Sequence, residues 1–405
     1  MAPATPKKAK IVVGGILGII LLALAPGCGG GGEAKADLAD LDRVLEASWG
    51  SYRRHFISPE GRVVIPERSG ETISEAQAYA LLRAVWAGDR DTFNRVYAWT
   101  RRHLSREQAH GDALLAWRWG RDKGGPWQVL DWNTATDGDL DYALALVLAA
   151  RRGWRPPPAL PDYQEEARGV LKGIFNLEIV RLPQGELLLT PGNWHEQRPP
   201  YLVNPSYFSP AAYRLFAQIP ADPRWMELRD SAYALLARLA RALGQQKGVG
   251  LFPDWCQVDA QGRPGPSPGR DTHFGWEAVR LPWRLALDSL WFREERAKRL
   301  LGQNFLPFFK KEWQNRGRLL AQYSYGGAAL VNYESPVLYA GVLAGALAAE
   351  DRDFARQIAE KILTFYREEK GQAYFVSPDH YYANNWAWLG LALYAGWVKA
   401  EDFRN

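Results

Sequence analysis

The chain has 405 residues, 47% of them hydrophobic and 13% aromatic, with 18 Trp, enough apolar material for one large closed fold or two ordinary domains. Its net charge of +5 overstates its basic character: Lys7, Lys8 and Lys10 precede the first acid, and without them 47 Lys and Arg face 45 Asp and Glu. No long basic block remains, which argues against nucleic acid as a partner, and two cysteines, Cys28 and Cys256, exclude a disulfide framework.

Residues 1–33 read as an export signal and tether. A basic "KKAK" precedes the apolar run "IVVGGILGIILLALA" at residues 11–25, which is short for a membrane span. "APGCGGGGEAKA" then sets small residues before Cys28 and glycines after it. This pattern resembles a bacterial lipoprotein signal with Cys28 acylated, although Ala25 stands where Leu is usual; an uncleaved N-terminal anchor is the alternative. Either way the working domain, residues 34–405, is expected outside the cytoplasm, held to a membrane. Cys256 reads as a small buried hydrophobe.

Helix-period patterns follow, near 36–55, 74–87, 91–104, 139–152, 163–175, 209–218, 224–244, 276–292, 294–313, 335–348, 352–368 and 385–396. Strand signals are short: "GRVVIP", "ELLLT" and "AYFVS". About a dozen helices in pairs, some apolar nearly all round such as "YALALVLAA", with no 20–50-residue repeat, fit a closed double ring of helices. Its groove would be built from loops at helix N-termini.

Three strings look functional and fail. "DGDLD" at 137–141 opens like a calcium loop but has Tyr142 and Leu148 where Gly and Glu are required. "HEQRP" lacks the second His of a zinc helix. "GPSPG" flanks Ser267 with prolines that do not suit a nucleophile elbow. With six His, no His/Cys metal cluster is expected, and neither is a cofactor. What remains are carboxylates at helix starts. Ser74 and Gln77 of "SEAQ" suggest a capping box that puts Glu75 at the first helical position. Asp137 precedes the next apolar helix, which Asp139 and Asp141 enter. Glu277 opens another, with Arg280 one turn on. Helix dipoles alone favour acids there. For Glu75 to be a general acid, burial or a neighbour such as Asp137 must raise its pKa against the dipole.

Several segments in order resemble family 8 glycoside hydrolases: "SEAQAYALLRAVWAGDRDTFNRVYAWT", "ATDGDLDYALALVLA", "NPSYFSPAAYRLFA", "GLFPDWCQVD", "GWEAVRLPWRLALD" and "NNWAWLGLALYAG". The resemblance spans roughly residues 40–396. It implies an all-α (α/α)6 barrel of about twelve helices with an open substrate cleft at one end. It also implies inverting hydrolysis of a β-1,4-linked polysaccharide, most often cellulose. Glu75 would be the general acid, Asp137 would grip the distorted sugar, and Glu277 holds the general-base position. Arg280 would orient the base and Tyr207 would help hold the attacking water. Two departures stand out. The usual base is Asp, and the extra methylene of Glu277 moves the carboxylate by about 1.5 Å, a shift that can be costly; the backbone compensates, activity is weak, or another acid such as Asp271 serves. Tyr142 replaces the usual Ile or Met, a packing change. Trp117, Trp119, Trp132, Trp255 and Tyr381 lie in loop-like segments and either floor the groove or pack the core. The expected substrate is a β-1,4-glucan, with xylan, chitosan or mixed-linkage glucan as alternatives, and the expected setting is cellulose secretion or biofilm matrix. A non-catalytic polysaccharide-binding homologue is the competing class.

Overall fold

The computed structural model describes residues 36–219 and 221–399. The expected signal, tether and acylated Cys28 lie outside the described residues, among which no helix is long and apolar enough to cross a membrane. In chain order the main helices are α1 (Leu41–Phe56), α2 (Ser74–Trp86), α3 (Arg90–His103), α4 (Thr136–Arg151), α5 (Tyr163–Leu177), α6 (Pro210–Phe216), α7 (Arg224–Leu239) and α8 (Leu281–Phe292). Then come α9, which runs through Glu295–Arg299, a π-helical Leu300–Phe305 and Leu306–Arg316, and α10 (Pro336–Ala348), α11 (Arg352–Leu363) and α12 (Tyr381–Tyr394). Each expected helical span meets one of these.

Two kinds of helix alternate. All of α2 is buried, and all of α10 except Leu347. By contrast α1 buries Leu41, Val44, Leu45, Ser48, Trp49, Tyr52 and Phe56 at helical spacing and turns its charged residues outward. A helix apolar all round needs neighbours on every side. The even-numbered helices obtain them by packing in sequence, α2 on α4, then α6, α8, α10 and α12, each also backed by an odd-numbered helix. The circuit returns to its start: Tyr79 of α2 meets Trp386 of α12 edge-on at 5.7 Å. Arg83 of α2 donates to the Asn384 carbonyl and to Asn385 Oδ1, both at 3.3 Å. The rings of Tyr52, Trp388 and Trp49 surround that guanidinium at 4.1, 4.7 and 5.1 Å, and burial pulls its pKa down to about 9. This order of helices is consistent with an (α/α)6 barrel.

Boundaries moved where short strands compete. α7 stops at Leu239 rather than near 244 because Ala242–Leu243 folds back on Gln246–Lys247. α11 stops at Leu363 because Tyr366–Glu369 pairs with Gln372–Phe375, the hairpin that takes up "AYFVS". "ELLLT" supplies Leu187–Leu189, paired with Ile179–Arg181. "GRVVIP" is not a strand; it makes only the bridges Ile57 to Val63 and Ile65 to Glu71. Two small antiparallel sheets prepare the site. One pairs Arg118–Gly120 with Thr72–Ile73 and Gln128–Asp131, the leads into α2 and α4. The other centres on Cys256–Val258, between Tyr201–Val203 and Pro264–Gly265. Cys256 is fully buried and free, as expected of a small hydrophobe. Tyr142 is buried as well; its hydroxyl donates to Glu166 of α5 at 3.3 Å, so this departure does act in packing between helices.

Candidate active site

The expected capping box does not form. α2 begins at Ser74 itself, whose backbone N–H donates to the Trp117 carbonyl at 3.0 Å, while its hydroxyl has no hydrogen-bond partner among the described residues. Gln77 turns away: its carbonyl accepts from the Val63 N–H at 2.6 Å and its amide donates to Thr100 Oγ1 at 2.7 Å. A buried amide is held where most of its hydrogen-bonding capacity is met, and for Gln77 that place is under α2, not at its start. Glu75 is thus freed from local capping and lies in the first turn, 8% exposed.

Asp137 is brought beside it by Gly138. A Cβ at residue 138 would stand 2.5 Å from Ser74 Oγ and 3.0 Å from the Glu75 nitrogen, so only glycine lets the starts of α4 and α2 approach this closely. Gly138→Ala is expected to cost about 1–3 kcal/mol of stability by overpacking and to displace Glu75. Urea unfolding together with turnover of the purified variant checks this; an alanine variant of normal stability and activity would refute the close approach.

Glu277 does not open a helix. It precedes a short 3-10 turn, Ala278–Arg280, and α8 starts only at Leu281, with Pro282 in its first turn. The cause is Asp254, whose Oδ1 accepts the backbone N–H groups of Gly275, Glu277 and Ala278 at 3.0, 3.1 and 2.7 Å. Its Oδ2 pairs with His273 Nε2 at 3.2 Å, a contact that raises the histidine pKa. Asp271, the alternative base, is largely exposed and 3.8 Å from His273 Nδ1.

The acids converge on Arg280, which is 1% exposed. Its Nη1 donates to Glu75 Oε2 at 2.6 Å and to Asp137 Oδ2 at 2.9 Å; its Nη2 donates to Ser206 Oγ at 2.9 Å and to Glu277 Oε2. Asn204 completes the circuit. Its Nδ2 donates to Glu277 Oε2 at 2.9 Å, and its Oδ1 accepts from Ser206 Oγ at 2.7 Å. Glu277 Oε2 therefore has two side-chain donors, Arg280 and Asn204. One turn along, Arg284 holds Asp141 with two hydrogen bonds of 2.6 and 2.7 Å. Burial, opposed by Arg280 and reinforced by Asp137 and Glu277, raises Glu75 to about 8. Burial, again opposed by Arg280, raises Glu277 to about 7. Both carboxyls are thus raised from their ordinary range toward neutrality, where general acid–base chemistry operates.

The aromatic residues divide. Tyr207 is buried, with Arg280 over its ring at 5.3 Å and Trp255 edge-on at 6.1 Å. Trp117 is half-buried beneath Arg68 and Arg118, and Trp132 is 39% exposed beside His110. Trp119 instead packs between Trp99 and Trp127, and Tyr381 lies among Tyr52 and Phe56 with 4% exposure; for these two, core packing is the reading their surroundings fit. Asn204, Ser206 and Asp254 were not singled out from sequence. The Asn-Pro of "NPSYFSP" and the lone acid of "FPDW" were the available signals.

The sequence model of "Glycosyl hydrolases family 8" matches residues 34–393. The chain belongs to glycosyl hydrolases family 8. Endoglucanase A of Acetivibrio thermocellus is 27% identical to this family 8 chain over 368 residues, 88% of the chain and 70% of the relative. An endo-beta-1,4-glucanase structure from Acetobacter xylinum superposes with a TM-score of 0.67 at 26% identity, covering 89% of this chain and 100% of that one. A beta-1,3-1,4-glucanase from Paenibacillus sp. X4, 20% identical, shares the fold with a TM-score of 0.72 over 91% and 96% of the two chains.

Proposed function

We propose that this glycoside hydrolase is an inverting endo-β-1,4-glucanase whose helices close into an (α/α)6 barrel, with the cleft at the N-termini of α2, α4 and α8. The convergence of Glu75, Asp137 and Glu277 on Arg280 carries this reading. Oxygens linked through one guanidinium lie within two hydrogen bonds of ~2.9 Å and the width of the ion. That upper limit of about 8 Å keeps the two carboxyls no farther apart than the ~6.5–9.5 Å at which an inverting pair seats a water; inversion itself rests on the family. Glu75 delivers its proton to the glycosidic oxygen as the bond to the anomeric carbon breaks. Glu277, ionised and aimed by Arg280 and Asn204, takes a proton from the water that attacks the opposite face. Asp137 holds the sugar at the point of cleavage and Tyr207 the water; Trp117, Trp132 and Trp255 offer ring faces to neighbouring sugars. Export through residues 1–33, with acylation at Cys28 and a place at a membrane beside cellulose secretion, belongs to the same proposal.

The extra methylene of Glu277 motivates the competing class, a groove that binds polysaccharide without cutting it. Hydrolysis of carboxymethylcellulose, mixed-linkage glucan, xylan and chitosan, followed by NMR of the newly formed reducing ends, separates the two. Release of α-anomers first, fastest from a β-1,4-glucan, is the expected result. β-Anomers first would overturn inversion, preference for another polymer would overturn the substrate, and no release from any polymer would leave the binding protein.

A further inference from the structure

Two residues beyond Asp137, Asp139 is 0% exposed, and so is Glu178, which follows the last residue of α5. One oxygen of each is accounted for. Asp139 Oδ1 accepts from the Leu115 N–H at 2.9 Å. Glu178 Oε1 accepts from the Thr134 hydroxyl, while the Thr136 hydroxyl donates to the Thr190 carbonyl at 2.8 Å. The two remaining oxygens, Asp139 Oδ2 and Glu178 Oε2, meet no hydroxyl, amide or cation among the described residues; the two carboxyl groups are hydrogen-bonded to each other. Ionised carboxylates only accept, so that bond requires a proton on one of them. Two like charges close enough to hydrogen-bond in a buried site do not both ionise.

We propose that Asp139 and Glu178 share one proton at neutral pH and that the resulting acid pair positions the helix starts that carry Glu75 and Asp137. Glu178, accepting from the Thr134 hydroxyl, is the carboxylate; Asp139 is the acid that donates. The pair ties two stretches of chain together. Through Leu115 it fixes the segment whose Trp117 carbonyl takes the Ser74 N–H, and whose Trp117 N–H donates to the Asn133 carbonyl at 2.8 Å. Through Thr134 it fixes the lead into Asp137: the Asn193 N–H donates to Thr134 Oγ1 and the Thr134 N–H to Asn193 Oδ1, both at 2.9 Å. The other charges acting on the pair are Asp137 on Glu178 and Arg106 on Asp139. Arg106 is itself engaged by Asp112 at 2.9 Å. Burial raises both acids, Glu178 to about 7. Because the folded protein holds this proton more tightly than the unfolded chain, the stability linked to it is full at acid pH and is lost as pH rises through the folded value.

Asp139→Asn tests the pair, since an amide supplies the donor without titrating. In the full chain at pH 7, the infrared difference between wild type and D139N should show the carbonyl stretch of a protonated carboxylic acid present only in wild type; Glu75 is common to both and cancels. D139N should keep kcat within about threefold of wild type at pH 6, and its melting temperature should fall less between pH 6 and pH 9. Asp139→Ala should lose kcat by tenfold or more, with KM changed by less than about twofold. If D139N does not fold, Glu178→Gln, whose amide donates to an ionised Asp139, must remove the same band. Absence of the band in wild type, or D139N as impaired as D139A, overturns the proposal. The infrared result stands whatever polymer the cleft accepts, so it is separable from the functional reading on which the kcat arm rests.

Discussion

Glu75→Gln is expected to fold normally and to lose about 10²–10⁴-fold in kcat on a β-1,4-glucan, the usual contribution of a positioned general acid. The glutamine keeps an oxygen for Arg280 Nη1 but has no proton to deliver to the leaving oxygen. Two further readouts tie the loss to that step. An aryl glycoside with a strongly acidic leaving phenol needs no protonation and should be far less affected. The pH profile should also change shape. In the wild type the acid works while Glu75 is protonated and Glu277 ionised, so activity should fall above about 8 as Glu75 ionises and below about 7 as Glu277 gains its proton. These limbs belong to the interacting set of carboxyls rather than to single groups, and the variant tests which group carries the alkaline one. In Glu75→Gln that limb should flatten and the acid limb remain. An unchanged bell would remove Glu75 from the acid role.

Arg280→Met should be the most damaging single change for stability and abolish turnover as well. The arginine is buried against three carboxyl groups and a serine hydroxyl, and removing one member of a buried ionic cluster typically costs about 3–5 kcal/mol. The sign of its pH dependence follows from the charges. Burial already raises Glu75 and Glu277, and Arg280 opposes that rise. Without the guanidinium both folded values climb further, so stability is retained where the acids are protonated in both states and lost as pH rises above the unfolded values of ~4.3. Urea unfolding at pH 5 and pH 8 should show the variant's deficit widening with pH; a deficit independent of pH would mean the guanidinium matters as a packing block rather than as a charge.

The layered helices were legible because burial on all sides leaves its mark in composition: "YALALVLAA" and "VLYAGVLAGALA" have no polar face to give water. Glu75, Asp137 and Glu277 were legible as acids at helix starts, and the resemblance joined them into a set. The rest depended on contacts distant in sequence. Asp254 acts 23 residues ahead of the Glu277 backbone it anchors, and it shortens the expected helix at 276 into a turn followed by α8. The Ser74 and Gln77 pattern predicts a local cap, but Gln77 finds stronger partners in Val63 and Thr100; tertiary hydrogen bonds overrode a local motif. Tryptophans in loop-like segments could not be sorted from sequence, since Trp119 and Trp132 share a hairpin region, yet Trp119 is buried between two other tryptophans and Trp132 stays 39% exposed beside His110.

The seating of α12 against α1 and α2 bears on how this chain is made. Asn384 and Asn385 receive Arg83, and Trp388 donates its indole N–H to the Leu45 carbonyl at 3.1 Å, across some 300 residues of intervening polypeptide. A nascent chain that has not yet reached Asn384 leaves that seam open, with Arg83, Trp49 and Tyr52 wet. Folding of this kind, dominated by pairings between distant parts of the chain, is slow, and the first helices must wait for α12 to be made before their inner faces are covered.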